Sequence, residues 1–185
     1  VTSALRELRL RHRVREHSTR NHVNRVDCHS AEFVRFLGNV EPALLKGSAQ
    51  QRVPEQLFRA SESIQAAFVR AYVEGEGHVS TKEREITVAS MSEQLLQEVQ
   101  ALLQSLGIEG SLEMKKGGSY RLRISGDNFV RYLNQVGFVT ERKSSAAGSY
   151  EDVPSNTNTD IVPNVGDDLR RVREALALSQ FDCGI

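Results

Sequence analysis

An internal repeat constrains the fold of this chain more than any other feature of its sequence. The segment Phe33–Leu37 reads Phe-Val-Arg-Phe-Leu, and Phe129–Leu133 reads Phe-Val-Arg-Tyr-Leu. A repeat of this length is typical of a duplicated domain and not of a solenoid built from short units. If the first hairpin is two residues longer than the second, the match extends upstream and pairs Leu5, Leu8, Leu10, Val14, Val26 and Cys28 with Leu103, Leu106, Ile108, Leu112, Leu122 and Ile124.

The second copy predicts a complete set of elements in the order helix, two strands, helix, two strands, helix. Apolar residues at helical spacing predict a first helix that Gly77 ends, and alternation predicts the strands. Ser92 is predicted to cap the middle helix and Gly107 to end it. The predicted ranges are Glu62–Glu76, His78–Lys82, Glu85–Ser90, Gly110–Lys115 and Ser119–Ser125, with a last helix from near Asp127.

These elements predict an α+β fold made of a duplicated α-β-β-α-β-β-α repeat. The first copy begins only in its middle helix, so its opening helix and first hairpin are expected before Val1. The segment from Ser144 to Asn158 is rich in Ser, Gly, Asn and Thr, which predicts a loop or linker. We predict four parts, namely the later half of the first copy (1–48), the complete second copy (49–147), a linker (148–165) and the start of a helical segment (166–185).

The last predicted part is an amphipathic helix that starts near Gly166. Asp167 and Asp168 fall in its first turn, where acids are favourable. The segment Leu169–Gln180 resembles the first helix and turn of a helix-turn-helix DNA-binding domain, although an ordinary helical hairpin explains it equally well. The apolar positions of this helix are Val165, Leu169, Val172, Leu176 and Leu178.

The composition excludes several classes of protein. With 24 basic and 24 acidic side chains in 185 residues, the chain is not a uniformly basic nucleic-acid binder. No apolar run approaches the ~20 residues of a membrane span. Cys28 and Cys183 make neither a disulfide framework nor a metal knuckle, which predicts a reducing, cytoplasmic location. The charge is uneven, however, because residues 1–27 hold seven Arg against three acids.

One segment carries a recognisable chemical pattern. Phe68–Gly77 ends in an acid, a small residue, a second acid and a glycine. It resembles the signature helix of the LAGLIDADG homing endonucleases, especially the members found inside inteins. The order of elements, the duplication and the segment Gly137–Lys143 add to this resemblance, which covers roughly Val1–Ala147. It implies a site-specific endonuclease that hydrolyses double-stranded DNA with a divalent metal, Mg²⁺.

The resemblance implies roles for individual residues. Glu76 matches the family's metal ligand, with Glu in place of the commoner Asp, and a hard carboxylate suits Mg²⁺. Glu74 lies elsewhere around the helix and is expected to be a structural or capping acid. Lys143 and Lys46 follow the last helix of each copy, where the family uses a Lys to stabilise the transition state or orient water. A Lys in a polar loop is equally often just solvated.

Small residues also mark the signature helix. Ala71 and Gly75 lie four residues apart, so they lie on one side of the helix and let a second helix approach closely. The resemblance implies that this second helix comes from the missing half-repeat or from self-association. Without it, the apolar face around Ala71 and Gly75 is expected to be exposed.

The predicted strands carry rows of basic residues. Alternation gives each sheet one apolar and one polar face, and Arg suits a DNA groove because it clamps phosphates and pairs with guanine edges. Surface Arg is also common on any solvated strand. The predicted DNA-binding residues are Arg11, Arg13, Arg15, Arg25, His78, Ser80, Lys82, Lys115, Arg121 and Arg123.

Two functions therefore fit the sequence. The first is the homing endonuclease part of an intein or a similar mobile element. The alternative is a non-cleaving DNA-binding protein on the same scaffold, of the transcription-regulator type that adds a helix-turn-helix. Glu76 favours cleavage, whereas the C-terminal segment favours the alternative.

Overall fold

The computed structural model describes residues 2–16, 24–80, 83–148 and 166–179. The helices are α1 (Thr2–Glu7), α2 (Ala31–Val40), α3 (Glu62–Glu76), α4 (Glu93–Ser105), α5 (Asp127–Gln135), α6 (Glu141–Gly148) and α7 (Gly166–Ala175). The strands are β1 (His12–Glu16), β2 (Asn24–Cys28), β3 (Gly77–Val79), β4 (Glu85–Ser90), β5 (Ser111–Met114) and β6 (Tyr120–Ser125). Short 3-10 helices span Pro42–Leu45, Ser48–Gln50 and Glu55–Arg59.

The strands form two antiparallel sheets. β1 pairs with β2, and the larger sheet has the order β3-β4-β6-β5. Val14 lies opposite Val26 in the small sheet, and Val88 lies opposite Leu122 in the larger one. Because side chains alternate along a strand, these registers place apolar residues together on one face of each sheet. The predicted α+β fold is confirmed.

The core lies between the larger sheet and helices α3, α4 and α5. Ile86, Leu122 and Ile124 from the sheet are fully buried, as are Leu96 of α4 and Phe129 of α5. Each such side chain contributes about 1.5–3 kcal/mol when it leaves water. The helices thus cover the sheet face that carries the apolar strand residues Leu122 and Ile124.

Helix α3 has the predicted bounds and two different apolar faces. Val69 and Val73 are fully buried in the core. On the other side, Ala71 and Gly75 are exposed, and Ile64 is 53% exposed. The face with the small residues is therefore uncovered within the described residues, as the sequence leads one to expect.

The first copy repeats the order of the second but not its burial. Elements α1, β1, β2 and α2 correspond to α4, β5, β6 and α5, in agreement with the sequence alignment. Tyr132 of α5 is fully buried, whereas its counterpart Phe36 of α2 is 59% exposed. Helix α2 contains no buried residue. An apolar helix face of the first copy is therefore left open to solvent.

The predicted loop from Ser144 is wrong at its start, because Ser144–Gly148 belongs to helix α6. Ala147 is fully buried and Ala146 packs against the core. Tertiary contacts thus stabilise a helix whose Ser- and Gly-rich composition indicates a loop. The remainder of that predicted loop lies outside the described residues.

The predicted C-terminal helix is present as α7. Leu169, Val172 and Leu176 are each more than half exposed, so its apolar stripe is uncovered. Among the described helices, none combines the length and apolar character that crossing a membrane requires.

The glycine that ends α3 is required by a close backbone approach. The N–H of Gly77 donates to the carbonyl oxygen of Val73, and a Cβ at Gly77 would lie 2.4 Å from that oxygen. A Cβ at Gly75 would meet nothing within 4 Å. We expect Gly77→Ala to lower the free energy of unfolding by about 1–3 kcal/mol, and Gly75→Ala to raise it by up to about 1 kcal/mol. Urea denaturation checks this, and equal effects of the two substitutions would contradict it.

Candidate active site at the end of helix α3

Two carboxylates leave the last turn of α3 in different directions. Residues two apart on a helix lie roughly 200° apart around its axis. Glu74 is half-buried, and Glu76 is exposed. The two acids of the signature segment therefore meet different surroundings.

Glu74 caps helix α6. One of its oxygens, Oε2, accepts hydrogen bonds from the backbone N–H groups of Val139 at 2.9 Å and Thr140 at 3.3 Å. Oε1 accepts from the Thr140 hydroxyl at 2.7 Å. Burial raises the pKa of Glu74, but these hydrogen bonds and the charge of Lys143 outweigh it, so the pKa lies below its ordinary value. The expected capping role of Glu74 agrees with these contacts.

Lys143 reaches back from α6 to the end of α3. Its ammonium Nζ donates to the carbonyl oxygens of Val73 at 2.9 Å, Glu74 at 2.7 Å and Gly77 at 2.6 Å. Carbonyls at a helix end have few or no partners within the helix, and a cation there also interacts favourably with the helix dipole. Lys143 is only 5% exposed, and burial lowers its pKa, with Glu74 opposing that effect.

Glu74, Thr140 and Lys143 together form what we call the α3–α6 clasp. Each helix supplies a charged side chain that binds the backbone at an end of the other. Arg70 adds a further tie, because its Nε donates to the carbonyl oxygen of Val136 at 2.5 Å. The backbone beneath Glu76 is therefore fixed from several sides.

The two predicted catalytic lysines lie in different settings. All the contacts of the Lys143 ammonium described above go to backbone carbonyls, which supports a structural role, and its catalytic role stays a prediction. Lys46 is exposed at the end of the first 3-10 helix, where its backbone N–H bonds to Ala43. Its charge helps to lower the pKa of Glu41, after the hydrogen bond from Ala43, an opposing effect of burial and the contacts of Arg52. A catalytic role of Lys46 likewise stays a prediction.

An open cavity of about 610 Å³ lies beside Glu76. Ala71, Tyr72 and Gly75 of α3 line it, together with Ser90 at the end of β4. Burial and the charge of Glu76 raise the pKa of Tyr72 to about 12, against a hydrogen bond with Ser90. Sequence reasoning missed Tyr72 as a site residue, although it lies four residues before Glu76 and hence on the same side of the helix.

The donor chemistry at Glu76 fits a hard divalent cation. Its carboxylate makes no hydrogen bond or ion pair within the described residues, so its oxygens are available. No cluster of three or more His, Cys, Asp or Glu side chains that would hold a metal occurs among those residues. Mg²⁺ commonly takes one or two carboxylates and fills its other positions with water and substrate phosphates. Glu76 is thus able to hold Mg²⁺ as part of such a set.

The predicted basic rows lie on the polar faces of the two sheets. Arg121 and Arg123 share the solvent face of the larger sheet, where Arg123 lies opposite Thr87. His78 is also exposed there, opposite the same Thr87. Lys115 follows β5 beside this face. Their predicted role in binding DNA stays a prediction.

The remaining predicted DNA-binding residues are distributed between the small sheet and one loop. Arg15 lies opposite Arg25 in the small sheet, and Arg11 and Arg13 line a groove of about 670 Å³ beside it. The Ser80 hydroxyl accepts from the N–H of Glu83, so it acts in a turn. Lys82 lies outside the described residues.

The family model described as LAGLIDADG-like domain matches residues 63–137. This segment of the chain is therefore similar to LAGLIDADG-like domains. The matched segment runs from the first turn of α3 to just past the end of α5. It includes the larger sheet and Glu76, so the resemblance stated from the sequence is confirmed at the level of the domain.

Segments of several curated proteins are similar to this chain. It is 25% identical over 150 residues to the DNA-directed RNA polymerase subunit Rpo1C of Methanocaldococcus jannaschii, covering 79% of this chain and 17% of that protein. It is 30% identical over 134 residues to elongation factor 2 of Methanopyrus kandleri, with coverages of 71% and 10%. It is 28% identical over 173 residues to the replication factor C small subunit of Pyrococcus horikoshii, with coverages of 92% and 18%. The chain spans less than a fifth of each of these relatives.

Solved structures share the fold. The homing endonuclease I-DmoI in complex with DNA and Mn superposes with a TM-score of 0.56 at 17% identity, covering 75% of this chain and 71% of that one. Full-length DUF199/WhiA from Thermatoga maritima gives a TM-score of 0.50 at 13% identity, covering 95% of this chain and 54% of that one. At these identities the likeness establishes the LAGLIDADG fold alone.

The clasp predicts that Lys143 stabilises the LAGLIDADG-like domain. Lys143→Met removes three hydrogen bonds to carbonyl oxygens at the end of α3, so we expect a loss of about 2–4 kcal/mol of unfolding free energy. Chemical denaturation measures it. The matched control is Lys116→Met, at an exposed turn between β5 and β6, which should change stability by less than about 0.5 kcal/mol. Equal stability of the two variants would exclude the clasp.

The clasp also predicts an acid-sensitive step in stability. A carboxyl whose folded pKa is lowered contributes stability above its unfolded pKa, about 4.3 for Glu, and this contribution is lost as the pH falls through the folded pKa. We therefore expect Glu74→Gln to reduce stability at neutral pH and to flatten the decline below about pH 4.3. Unfolding free energies measured from pH 7 to pH 3 test this, with Glu109→Gln as an exposed control. Parallel curves for parent and Glu74→Gln would contradict it.

Proposed function

We propose that this chain is the DNA-cleaving part of a homing endonuclease carried within an intein, which hydrolyses double-stranded DNA with Mg²⁺. The observation that carries this proposal is the exposed, unpaired Glu76 carboxylate at the clasped end of α3, in a LAGLIDADG-like domain whose sheet presents arginines to solvent. The same fold occurs in I-DmoI, which has been solved with DNA and Mn.

The pattern of relatives supports a mobile element. An RNA polymerase subunit, an elongation factor and a replication factor subunit have unrelated functions, yet each contains a segment similar to this chain. The similar segment is a small share of each protein. A piece shared by proteins with no common function is the pattern expected of an insertion and not of a domain required for the host's own activity.

The residues of this chain have separate tasks in the proposed reaction. Glu76 holds the cation, and the clasp keeps its backbone in place. Bound Mg²⁺ supplies Lewis-acid stabilisation of the charge that develops at the scissile phosphate. The sheet arginines bind and orient the duplex, and the cavity beside Tyr72 leaves room at Glu76 for a phosphate group.

Cutting both strands requires a second acid at a second helix end. The exposed face of α3 around Ala71 and Gly75 has the small residues that such a helix needs for close approach. We propose that a second signature helix covers this face, supplied by another segment of the whole protein or by a second copy. Burying the apolar face provides about 25 cal/mol per Å² for that association.

A second function has its own support. The superposition on full-length DUF199/WhiA covers 95% of this chain, including more of it than the superposition on I-DmoI. Helix α7 is amphipathic, as the first helix of a helix-turn-helix segment would be. On this alternative the chain binds duplex DNA through the same sheet and does not cut it.

Glu76→Gln separates the two functions. We expect it to reduce Mg²⁺-dependent cleavage about a hundredfold or more, because a divalent ion supplies several kcal/mol of transition-state stabilisation. DNA affinity should stay within about threefold, since one exposed carboxylate adds little to phosphate binding. Cleavage is measured on a plasmid library with randomised inserts, whose new ends are captured and sequenced. Glu62→Gln, on the first turn of the same helix, is the matched control.

The outcomes are distinct. Cleavage by the parent and by Glu62→Gln, but not by Glu76→Gln, supports the endonuclease. If the whole protein, with its second signature helix, binds the library and produces no new ends, whatever the metal, the DNA-binding alternative is supported. Equal cleavage by Glu76→Gln and the parent would show that Glu76 is not the ligand.

A further inference from the structure

The polar face of the larger sheet is charge-balanced, unlike the basic surface that DNA binding alone requires. Glu113 on β5 lies directly opposite Arg121. A guanidinium nitrogen of Arg121 lies 3.7 Å from a carboxylate oxygen of Glu113. The same oxygen pairs with the Lys115 ammonium at 2.5 Å. Three bases and three acids make up this set, which we call the charge ladder: Lys115, Arg121 and Arg123 with Glu83, Glu85 and Glu113.

Arg123 is held in the same way from the other side. Its Nε pairs with Glu85 on β4, and a second guanidinium nitrogen lies 3.9 Å from Glu83. The Glu85 side chain is only 12% exposed, whereas that of Arg123 is 48% exposed. Each arginine of the ladder is thus accessible to a ligand while a neighbouring carboxylate already neutralises it.

The small sheet provides a contrast within the same chain. Asp27 pairs with Arg25 at 2.6 Å and lies 3.9 Å from Arg15. Arg13 lies opposite Asp27, and Arg11 lines the adjacent groove. One carboxylate therefore faces several arginines on the small sheet, which leaves a positive surplus suited to phosphates.

The Glu113 carboxylate stays charged at neutral pH. The hydrogen bond from Lys115 holds the pKa of Glu113 below its ordinary value, against a smaller effect of burial, and the charges of Arg121 and Arg123 lower it further. A phosphate that approaches Arg121 must therefore displace an ionised competitor and also meets its repulsion.

A base pair in the major groove meets the ladder differently. Guanine offers two acceptors to an arginine, and the cytosine amino group offers a donor to a carboxylate. A G·C pair can therefore satisfy both members of an Arg–Glu pair, whereas phosphate satisfies the arginine alone. The ladder thus weakens contacts that carry no sequence information more than it weakens contacts to G·C edges.

We propose that Glu113 and Glu85 are specificity-determining residues, which suppress phosphate contacts by Arg121 and Arg123 and favour G·C pairs at the larger sheet. This inference rests on the proposed function, because it requires that the sheet face contacts DNA. On this proposal, the small sheet provides the affinity for DNA of any sequence, and the charge ladder provides the discrimination between sequences.

Glu113→Gln tests the inference without disturbing the core, because this side chain is 44% exposed. The probes are two fluorescein-labelled duplex pools, one of random G·C-only and one of random A·T-only sequence. We expect the variant to bind the A·T pool about 3–10-fold more tightly and to steepen the dependence of log K on log salt by about one, since a freed cation releases about one counterion from the duplex. The preference of the parent for the G·C pool should shrink about threefold or more, because one acceptor for the cytosine amino group is lost.

The matched control is Glu55→Gln, which removes the same charge from an exposed ion pair with Arg59 at 2.8 Å, on a 3-10 helix. It should change neither the salt slope nor the preference between pools. A second comparison places Glu113→Gln in a chain that already carries Lys115→Ala and Arg121→Ala. There it should have no effect on the salt slope, because no cation remains to be freed.

The outcomes distinguish failure of the proposed function from failure of this inference. A parent that binds neither pool overturns the proposed function and this inference with it. A parent that binds both pools, with Glu113→Gln indistinguishable from Glu55→Gln, overturns the inference and leaves the proposed function standing. Weaker binding of Glu113→Gln to both pools also overturns it, since the carboxylate would then support binding and not restrain it.

Discussion

The geometry of the site depends on the hydrogen bonds that the ammonium group of Lys143 donates to the end of α3. A helix that ends beneath a functional residue leaves carbonyls without partners, and its last turn frays unless something binds them. Lys143 binds three carbonyl oxygens there, and Glu74 in turn caps the helix that carries Lys143. This reciprocity fixes the backbone of α3 up to Gly77 while Glu76 keeps a free carboxylate. Metal sites need that combination, because a ligand held by a rigid element loses little entropy when it binds.

The residues of helix α3 have different roles according to their position around the helix axis. Val69 and Val73 anchor it in the core, Glu74 joins the clasp, and Ala71 and Gly75 remain exposed. None of these residues serves two of these purposes. A Cβ at Gly75 would meet nothing within 4 Å, so this chain's own packing does not require a glycine there.

The sequence predicted what depends on local periodicity. The bounds of α3 and the alternation of side chains along β6 follow from apolar spacing and a terminal glycine, and both are present in the structure. It did not predict the partner of Lys143 or helix α6. The Lys143 contacts join residues about 70 positions apart in the chain, and α6 is stabilised by burial of Ala147 against a composition that favours a loop. The ion pairs of Arg121 and Arg123 were missed for a related reason, because they depend on the strand register and not on the Arg-rich pattern itself.

Among the described residues, the uncovered faces of α2 and α3 have the same physical explanation. Phe36 and Tyr132 occupy equivalent places in the repeat, but only Tyr132 is buried, in the core that α3 helps to build. The half-repeat around α2 therefore lacks the kind of cover that a helix like α3 provides. Helix α3 in turn lacks a neighbour on the face with Ala71 and Gly75. A second signature helix would cover both faces. One side of such a helix packs on a sheet, as α3 does, and its other side packs on the signature helix of the other repeat. On the proposed function, the same helix would also bring the second acid, so one element would cover the apolar faces and complete the proposed site.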